Sequence, residues 1–247
     1  MKTIIFAANW KLNKGPRESR EFFKNFKGLV SNDLQSKIVF FVPATNLEAT
    51  AQSLVETSMR FGSQNCFSQG SGAFTGEISA PVVKDIGGQL ILLGHSERRQ
   101  IFGETDSSIA TKGQLVQSLE LVPMLCIGET LEEREGGQTK SVCEKQLKAF
   151  MDAIDLKKEW IVAYEPVWAI GTGKVASVEQ VAEAHAQIRA YIISQGGSAE
   201  TPILYGGSVK PENASELLRI KDVNGFLVGG ASLDPISFSK ICLASAE

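Results

Sequence analysis

The stretch WIVAYEPVWAIGTGKVASVEQVAEAHAQIRAYI (160–192) holds one strand, one connector and one helix in order. WIVA is a short continuous apolar run, the pattern of a strand buried on both faces of a parallel sheet. In SVEQVAEAHAQIRAYI the apolar residues recur at helical spacing, and Ser177 with Gln180 three places on forms a capping box at its start. The join between them is unusual. It begins with Glu165, a carboxylate delivered by a buried strand, turns a stiff Pro166-Val167-Trp168 corner and then runs through two glycines. A strand-to-helix connector needs only about 2–6 residues, and this one is longer.

The same unit repeats along the chain. Short runs rich in Ile, Val, Leu or Phe occur at 3–9, 37–43, 59–65, 89–94, 121–128, 160–165, 202–207 and 225–230. Amphipathic stretches lie between or after them: REFFKNFKGLV, LEATAQSLV, VVKDIG, SIATKGQLVQSL, VCEKQLKAFMDAI, EQVAEAHAQIRAYI, ENASELLRI, with Pro211 at its start, and PISFSKICLAS. Eight strands alternating with eight helices in 247 residues predict an α/β chain folded as a closed (β/α)8 barrel. A doubly wound open sheet is the alternative. No Pro- or Ser-rich linker divides the chain, so residues 1–247 read as a single domain.

Composition narrows the function. Apolar residues make up 43% of the chain and the net charge is −3, which offers no basic face for nucleic acid or an anionic membrane. An anionic substrate would have to be bound by local groups. The four cysteines form no CxxC pair and read as buried thiols in a reducing compartment. His95 and His185 lack a helical HxxxH partner, so no zinc site is expected. The N-terminus reads as a first strand rather than a signal peptide, and no apolar run approaches the ~20 residues of a membrane span. The expectation is a soluble, cytoplasmic protein.

In a barrel of this kind the residues that follow the strands gather at one end. Here they include Asn9 and Lys11, Gln64 and Asn65, His95 and Glu97, Gly128 and Glu129, Glu165, Gly206-Gly207-Ser208, and Gly229-Gly230. Singly these are weak signals: a lone lysine is usually a solvated surface group, and a lone histidine is more often structural than catalytic. His185, inside a regular helical pattern, reads as structural. GTGKVA (171–176) matches a dinucleotide-binding spacing, but Glu165 to Ile170 separate it from the strand, so it reads as a chance match. A P-loop fails because position 168 is Trp and Val175 follows Lys174. The glycine turns after strands seven and eight, by contrast, stand where barrels commonly bind phosphate, and ASLDPISF can begin a helix whose N-terminus favours negative charge.

Taken together, AANWKLN (7–13), GHSERR (94–99), AYEPVWAIGTGKVAS (163–177), YGGSV (205–209) and GFLVGGASL (225–233) closely resemble the triosephosphate isomerase family. GAFTGEIS (72–79), FGETD (102–106) and CIGETLEERE (126–135) fit the same family, so the similarity runs from the first strand to the last. Leu12 stands where Met is more usual. The resemblance implies a TIM barrel that interconverts dihydroxyacetone phosphate and glyceraldehyde 3-phosphate, in glycolysis and gluconeogenesis, without cofactor or metal.

It also implies roles. Glu165 is the base and His95 the electrophile and proton relay. Lys11 places positive charge beside the developing enediolate, and Asn9 adds a hydrogen bond. Glu97 is a supporting carboxylate, while Ser96 holds the His95 segment and could cap the turn after it. The N–H groups of Gly171, Ser208, Gly229 and Gly230 cradle the phosphate. The long connector becomes a lid with its tip at Ala169 to Gly173, between hinges at 166–168 and 174–176. The loop 65–79 implies a homodimer, with Thr75 near the partner's Asn9 and Lys11. Two other readings are open: another phosphate-binding barrel, such as a ketol isomerase or lyase of amino-acid biosynthesis, and a non-catalytic scaffold.

Overall fold

The computed structural model describes residues 2–169 and 176–244. Its strands are β1 (Ile5–Asn9), β2 (Ile38–Val42), β3 (Arg60–Ser63), β4 (Leu90–Leu93), β5 (Val122–Ile127), β6 (Ile161–Tyr164), β7 (Ile203–Tyr205) and β8 (Gly225–Val228). Each lies parallel to the next, and β8 returns to pair with β1, so the sheet closes into the expected barrel rather than the open alternative. The described helices are α1 (Pro16–Phe26), α2 (Asn32–Gln35), α3 (Leu47–Leu54), α4 (Ala80–Asp85), α5 (Ser96–Gln100), α6 (Asp106–Ser118), α7 (Leu131–Glu135), α8 (Thr139–Met151), α9 (Val178–Ser194), α10 (Pro211–Leu218) and α11 (Pro235–Leu243).

Three of these, α2, α5 and α7, were not expected, because four or five residues are too few to show a helical period. The helix expected over 20–30 begins earlier, at Pro16, and stops at Phe26. Its start is set by chemistry rather than by apolar spacing: Pro occupies the first helical turn and Glu18 Oε2 accepts the Gly15 N–H at 2.7 Å. The capping box of α9 forms as read, with Gln180 Oε1 accepting from Ser177 N at 2.9 Å and Ser177 Oγ accepting from Gln180 N at 3.3 Å.

Strand alternation sorts the core into two shells. Ile5, Ala7, Val39, Phe41, Leu90, Leu92, Met124, Cys126, Ile161, Ala163, Leu204 and Leu227 form one cluster, the filling of the barrel. Their neighbours in sequence, such as Phe6, Ala8, Ile38, Phe40, Leu93 and Val162, join the larger cluster shared with the helices. The period of two has a functional consequence. Continuing the inner phase of β1 past Ile5 and Ala7 leads to Asn9, and that of β6 past Ile161 and Ala163 leads to Glu165. Both therefore face inward at the mouth.

One aromatic cluster ties the start of the barrel to the site. Trp10 packs against Phe22, Phe23 and Phe40 with ring centroids 5.0, 5.4 and 5.8 Å away, and Phe26 stacks on Phe238 of α11 at 5.5 Å. Rings of this size bury a large apolar area and hold β1, α1, β2 and α11 in one register. The Trp10 indole N–H then donates to the Ser232 carbonyl at 3.2 Å, joining the end of β1 to the turn after β8. All four cysteines are buried and none forms a disulfide among the described residues; burial pushes the Cys66 thiol up to about 12, leaving little thiolate at neutral pH. No described helix is long and apolar enough to cross a membrane.

His185 is structural, as read. It is fully buried in α9, its Nδ1–H donates to the Asp222 carbonyl at 3.1 Å, and its Nε2 has no partner among the described residues. Burial pushes its pKa down to about 4. Unfolding returns it to about 6.5, so below pH 6.5 the unfolded chain takes up a proton that the native chain refuses. Stability is therefore lost as pH falls from about 6.5 to about 4, by roughly 2 kcal/mol at pH 5. Comparing urea unfolding at pH 7.5 and pH 5 should show a loss smaller by that amount in His185→Gln than in wild type. Equal losses in both proteins would assign the acid sensitivity to other groups.

Candidate active site

Asn9, Lys11, His95, Glu165, Ser208, Gly229 and Gly230 converge on one cavity of about 340 Å³ at the mouth of the barrel. Strands β1, β4, β6, β7 and β8 contribute to it. Ser96 and Glu97 stand behind this lining and act on it through hydrogen bonds. Gly171 and the rest of 170–175, including most of the expected lid tip and the hinge residues Lys174 and Val175, lie outside the described residues.

Glu165 is buried, and both carboxylate oxygens are held. Oε1 lies 3.0 Å from His95 Nε2, and Oε2 accepts the Ser96 N–H at 3.0 Å. Its own N–H donates to the Ile127 carbonyl at 2.7 Å, anchoring it to β5. A carboxylate can only accept, so the facing His95 Nε2 carries the proton. The other ring nitrogen agrees: Nδ1 accepts the Glu97 N–H at 3.2 Å. The network thus assigns a neutral imidazole with its Nε2–H aimed into the cavity. His95, rather than Ser96, is the cap of α5. This corrects the expectation for Ser96, which is instead the first residue of the helix and spends its N–H on Glu165.

Burial works against charge on both members of this pair, and their contact outweighs it. Burial alone would raise Glu165, but the charge and hydrogen bond of His95, then the Ser96 N–H and Lys11, hold it below the ordinary carboxylate value. Burial alone would lower His95, but Glu165 raises it above the ordinary imidazole value. That pull favours a second proton, and the Glu97 N–H aimed at Nδ1 opposes it, so the neutral tautomer is the one this geometry holds.

Lys11 has φ of 49°, the left-handed region that a side chain enters at a cost. Several contacts hold it there. Its N–H donates to Asn9 Oδ1 at 3.0 Å, and the Gln64 amide donates to the Lys11 carbonyl at 2.9 Å and to Asn9 Oδ1 at 3.2 Å. Its ammonium pairs with Glu97 Oε1 at 2.7 Å. Gln64 stands at a strand end, and its residue type alone suggests no role. Its acceptors belong to Asn9, Lys11 and Phe41, residues remote in sequence that no local pattern reveals.

The glycine turn after β7 owes its composition to crowding. A Cβ on Gly206 would lie 2.9 Å from Glu165 Cγ, and one on Gly207 would lie 2.2 Å from the Tyr205 hydroxyl. Gly206 thus leaves room for the carboxylate. Ser232 Oγ donates to the Gly229 carbonyl at 2.7 Å and steadies the second turn. The helix read as PISFSKICLAS starts at Pro235 as expected, but its N-terminus is not at the glycine turn: Gly230–Ser232 is a single 3-10 turn, and at the start of α11 Asp234 accepts the Ser237 N–H at 2.7 Å. The side chain of Asp234 takes the place an anion would have at that helix end.

Glu129, another strand-end residue, does not line the cavity. It is fully buried and accepts from the Trp168 indole at 3.0 Å, with Arg134 at 3.2 Å and the Tyr164 hydroxyl at 3.0 Å. It braces the turn Val167–Ala169 that follows Glu165, and its carbonyl accepts the Val167 N–H at 3.1 Å.

Sequence comparison agrees with this geometry. The family model described as triosephosphate isomerase matches residues 4–245. The chain is 58% identical to the triosephosphate isomerase of Bdellovibrio bacteriovorus, over 96% of this chain and 98% of that protein. It is 43% identical to that of Aquifex aeolicus, over 96% and 97% of the two chains, and 42% identical to that of Solibacter usitatus, over 98% and 99%. With the closed barrel, the convergent strand ends and similarity along nearly the whole length, the chain belongs to the triosephosphate isomerase family.

Proposed function

We propose that Glu165 and His95 carry the proton transfers of this family's reaction, the interconversion of dihydroxyacetone phosphate and glyceraldehyde 3-phosphate. The chain is an isomerase acting on triose phosphates, a step of glycolysis. The change moves one proton between neighbouring carbons and one between their oxygens, so it needs a base, a relay and a stabiliser for oxygen charge. Glu165 takes the proton from the carbon beside the carbonyl and returns it to the next carbon. The His95 Nε2–H polarises the carbonyl and passes protons between the two oxygens. Lys11 and Asn9 stabilise the enediolate, and Glu97 orients Lys11. Ser208, Gly229 and Gly230 receive the phosphate, together with Gly171 by resemblance.

One observation carries this reading: the Glu165 carboxylate is held by His95 Nε2 and the Ser96 N–H inside the cavity. Moving the carboxylate from His95 onto substrate would remove the partner that lowers its pKa and leave burial, which raises it. The base would thereby become stronger where it is used. A coupled assay with glyceraldehyde 3-phosphate on purified protein tests the assignment. Turnover lost on replacing Glu165 or His95, in folded variants, supports it; full turnover in either refutes its role.

The same reading includes a single catalytic domain over 1–247 in the cytoplasm, for which buried cysteines outside any disulfide are suited. It also includes a symmetric homodimer through the loop 65–79. The loop is braced from within: Phe67 and Phe74 rings meet at 4.3 Å, and Ser79 Oγ donates to the Gly70 carbonyl at 2.6 Å. Leu12 is 97% exposed, with Ile101, Phe102 and Val82 each more than half exposed, apolar surface that a second copy would cover. Thr75→Arg, which places a charge in that contact, should weaken dimerisation at least ~10-fold, about 1.4 kcal/mol, and lower activity with it. Sedimentation that finds a fully active monomer at assay concentration would contradict the dimer.

A further inference from the structure

Among the described residues the cavity is lined by two cations, Lys11 and Lys210, and one carboxylate, Glu165. Lys11 is committed to Glu97 at 2.7 Å. Lys210 is exposed, and its ammonium has no carboxylate partner among the described residues. Its backbone, however, is fixed. The Lys210 N–H donates to Asn213 Oδ1 at 2.8 Å, and Asn213 Nδ2 donates to the Ser208 carbonyl at 3.0 Å. One side-chain amide therefore clamps both ends of the segment Ser208-Val209-Lys210. Pro211 stiffens the next position, and Val209 is buried beneath. The side chain of Lys210 thus starts from a rigid rim beside Ser208.

The chain carries a net charge of −3, so its overall field does not draw in a doubly negative phosphate monoester. Capture has to depend on charge at the mouth. From the rim position of an unpaired ammonium beside an otherwise neutral pair of turns, we infer that Lys210 recruits the substrate dianion and orients it phosphate-first towards Ser208, Gly229 and Gly230. This rests on the reading of those turns as the phosphate site. Attraction between exposed charges is strong at low ionic strength and largely screened at high salt. Its signature is a salt-dependent change in capture.

The test is steady-state kinetics of Lys210→Arg, Lys210→Gln and Lys210→Glu with glyceraldehyde 3-phosphate, at ionic strengths of about 0.01 M and about 0.5 M. The Gln variant should lose roughly three- to tenfold in kcat/KM at low ionic strength, mostly as a rise in KM. The Glu variant should lose more, and Arg should restore most of the wild-type value. The differences should shrink at high ionic strength, inhibition by inorganic phosphate should weaken in the same order, and the loss with glyceraldehyde, which lacks the phosphate, should be smaller. Wild-type kcat/KM in the Gln and Glu variants at low ionic strength would overturn the inference. So would a loss equal on both substrates and insensitive to salt, because that marks a damaged turn. A wild-type enzyme that isomerises triose phosphate but is not inhibited by inorganic phosphate would instead overturn the reading of the turns, and the role of Lys210 with it.

Discussion

Glu165→Asp is expected to lower kcat ~10²-fold while changing KM far less. The substitution keeps the charge and withdraws the carboxylate by one methylene, roughly 1 Å, a misplacement of the size that costs about this much in rate. The backbone cannot follow to compensate. The Glu165 N–H is bonded to the Ile127 carbonyl at 2.7 Å, and the Glu165 carbonyl lies so close to Gly128 that a Cβ there would sit 1.7 Å from it. A shorter side chain therefore retreats from both His95 Nε2 and the space above it. The turns after β7 and β8, where we place the phosphate, are untouched, so binding is largely spared. Circular dichroism confirms the fold and steady-state kinetics give the split. A near-wild-type kcat would remove Glu165 from the role of base.

His95→Gln is expected to cost about as much, ~10²- to 10⁴-fold in kcat, through a different defect. The glutamine amide can still offer an N–H towards the Glu165 carboxylate and to a substrate carbonyl. It cannot accept a proton and give it back, so the relay between the two substrate oxygens is lost while the electrophile is partly kept. The Glu97 N–H, which His95 Nδ1 accepts at 3.2 Å, must also find another acceptor. Because Glu165 is held low chiefly by His95 against the opposing effect of burial, removing the imidazole should raise its pKa. The acid limb of the kcat/KM profile, where the base protonates, should therefore move to higher pH. An unchanged acid limb would show that His95 does not set the base, and an unchanged kcat would show that it relays no proton.

Much of this molecule is legible in one dimension because its fold is built from local periods. The alternation of apolar runs with amphipathic stretches predicts eight strands, and strand phase alone turns Asn9 and Glu165 inward. The Ser177 capping box and Pro211 mark helix starts by short-range chemistry. The motifs around Lys11, His95 and Glu165 identify the family without any coordinates. What local pattern misses is short or remote. Helices α2, α5 and α7 span too few residues to show a period. Ser96 looked like a cap because serine commonly is one, yet His95 caps α5 because its ring nitrogen is aimed at the Glu97 N–H.

The remaining features were decided by contacts between distant segments. Residue types and strand ends bring the proposed catalytic groups to one face, but do not set the state they rest in. That state is set by His95 Nε2 and the Ser96 N–H, which reach Glu165 from β4 and α5 across the barrel mouth. Gln64 bonds back to Lys11, and Glu129 to the turn after Glu165. The amino-acid sequence by itself determined the barrel and the family, because these follow from periodicity and motif, and it nominates Glu165 and His95 for the chemistry we propose. Tertiary structure alone decided the pairing of Glu165 with His95, the direction of both pKa shifts and the crowding that makes Gly206 necessary. These depend on distances of about 3 Å between residues far apart in the chain, and only closure of the barrel brings those residues together.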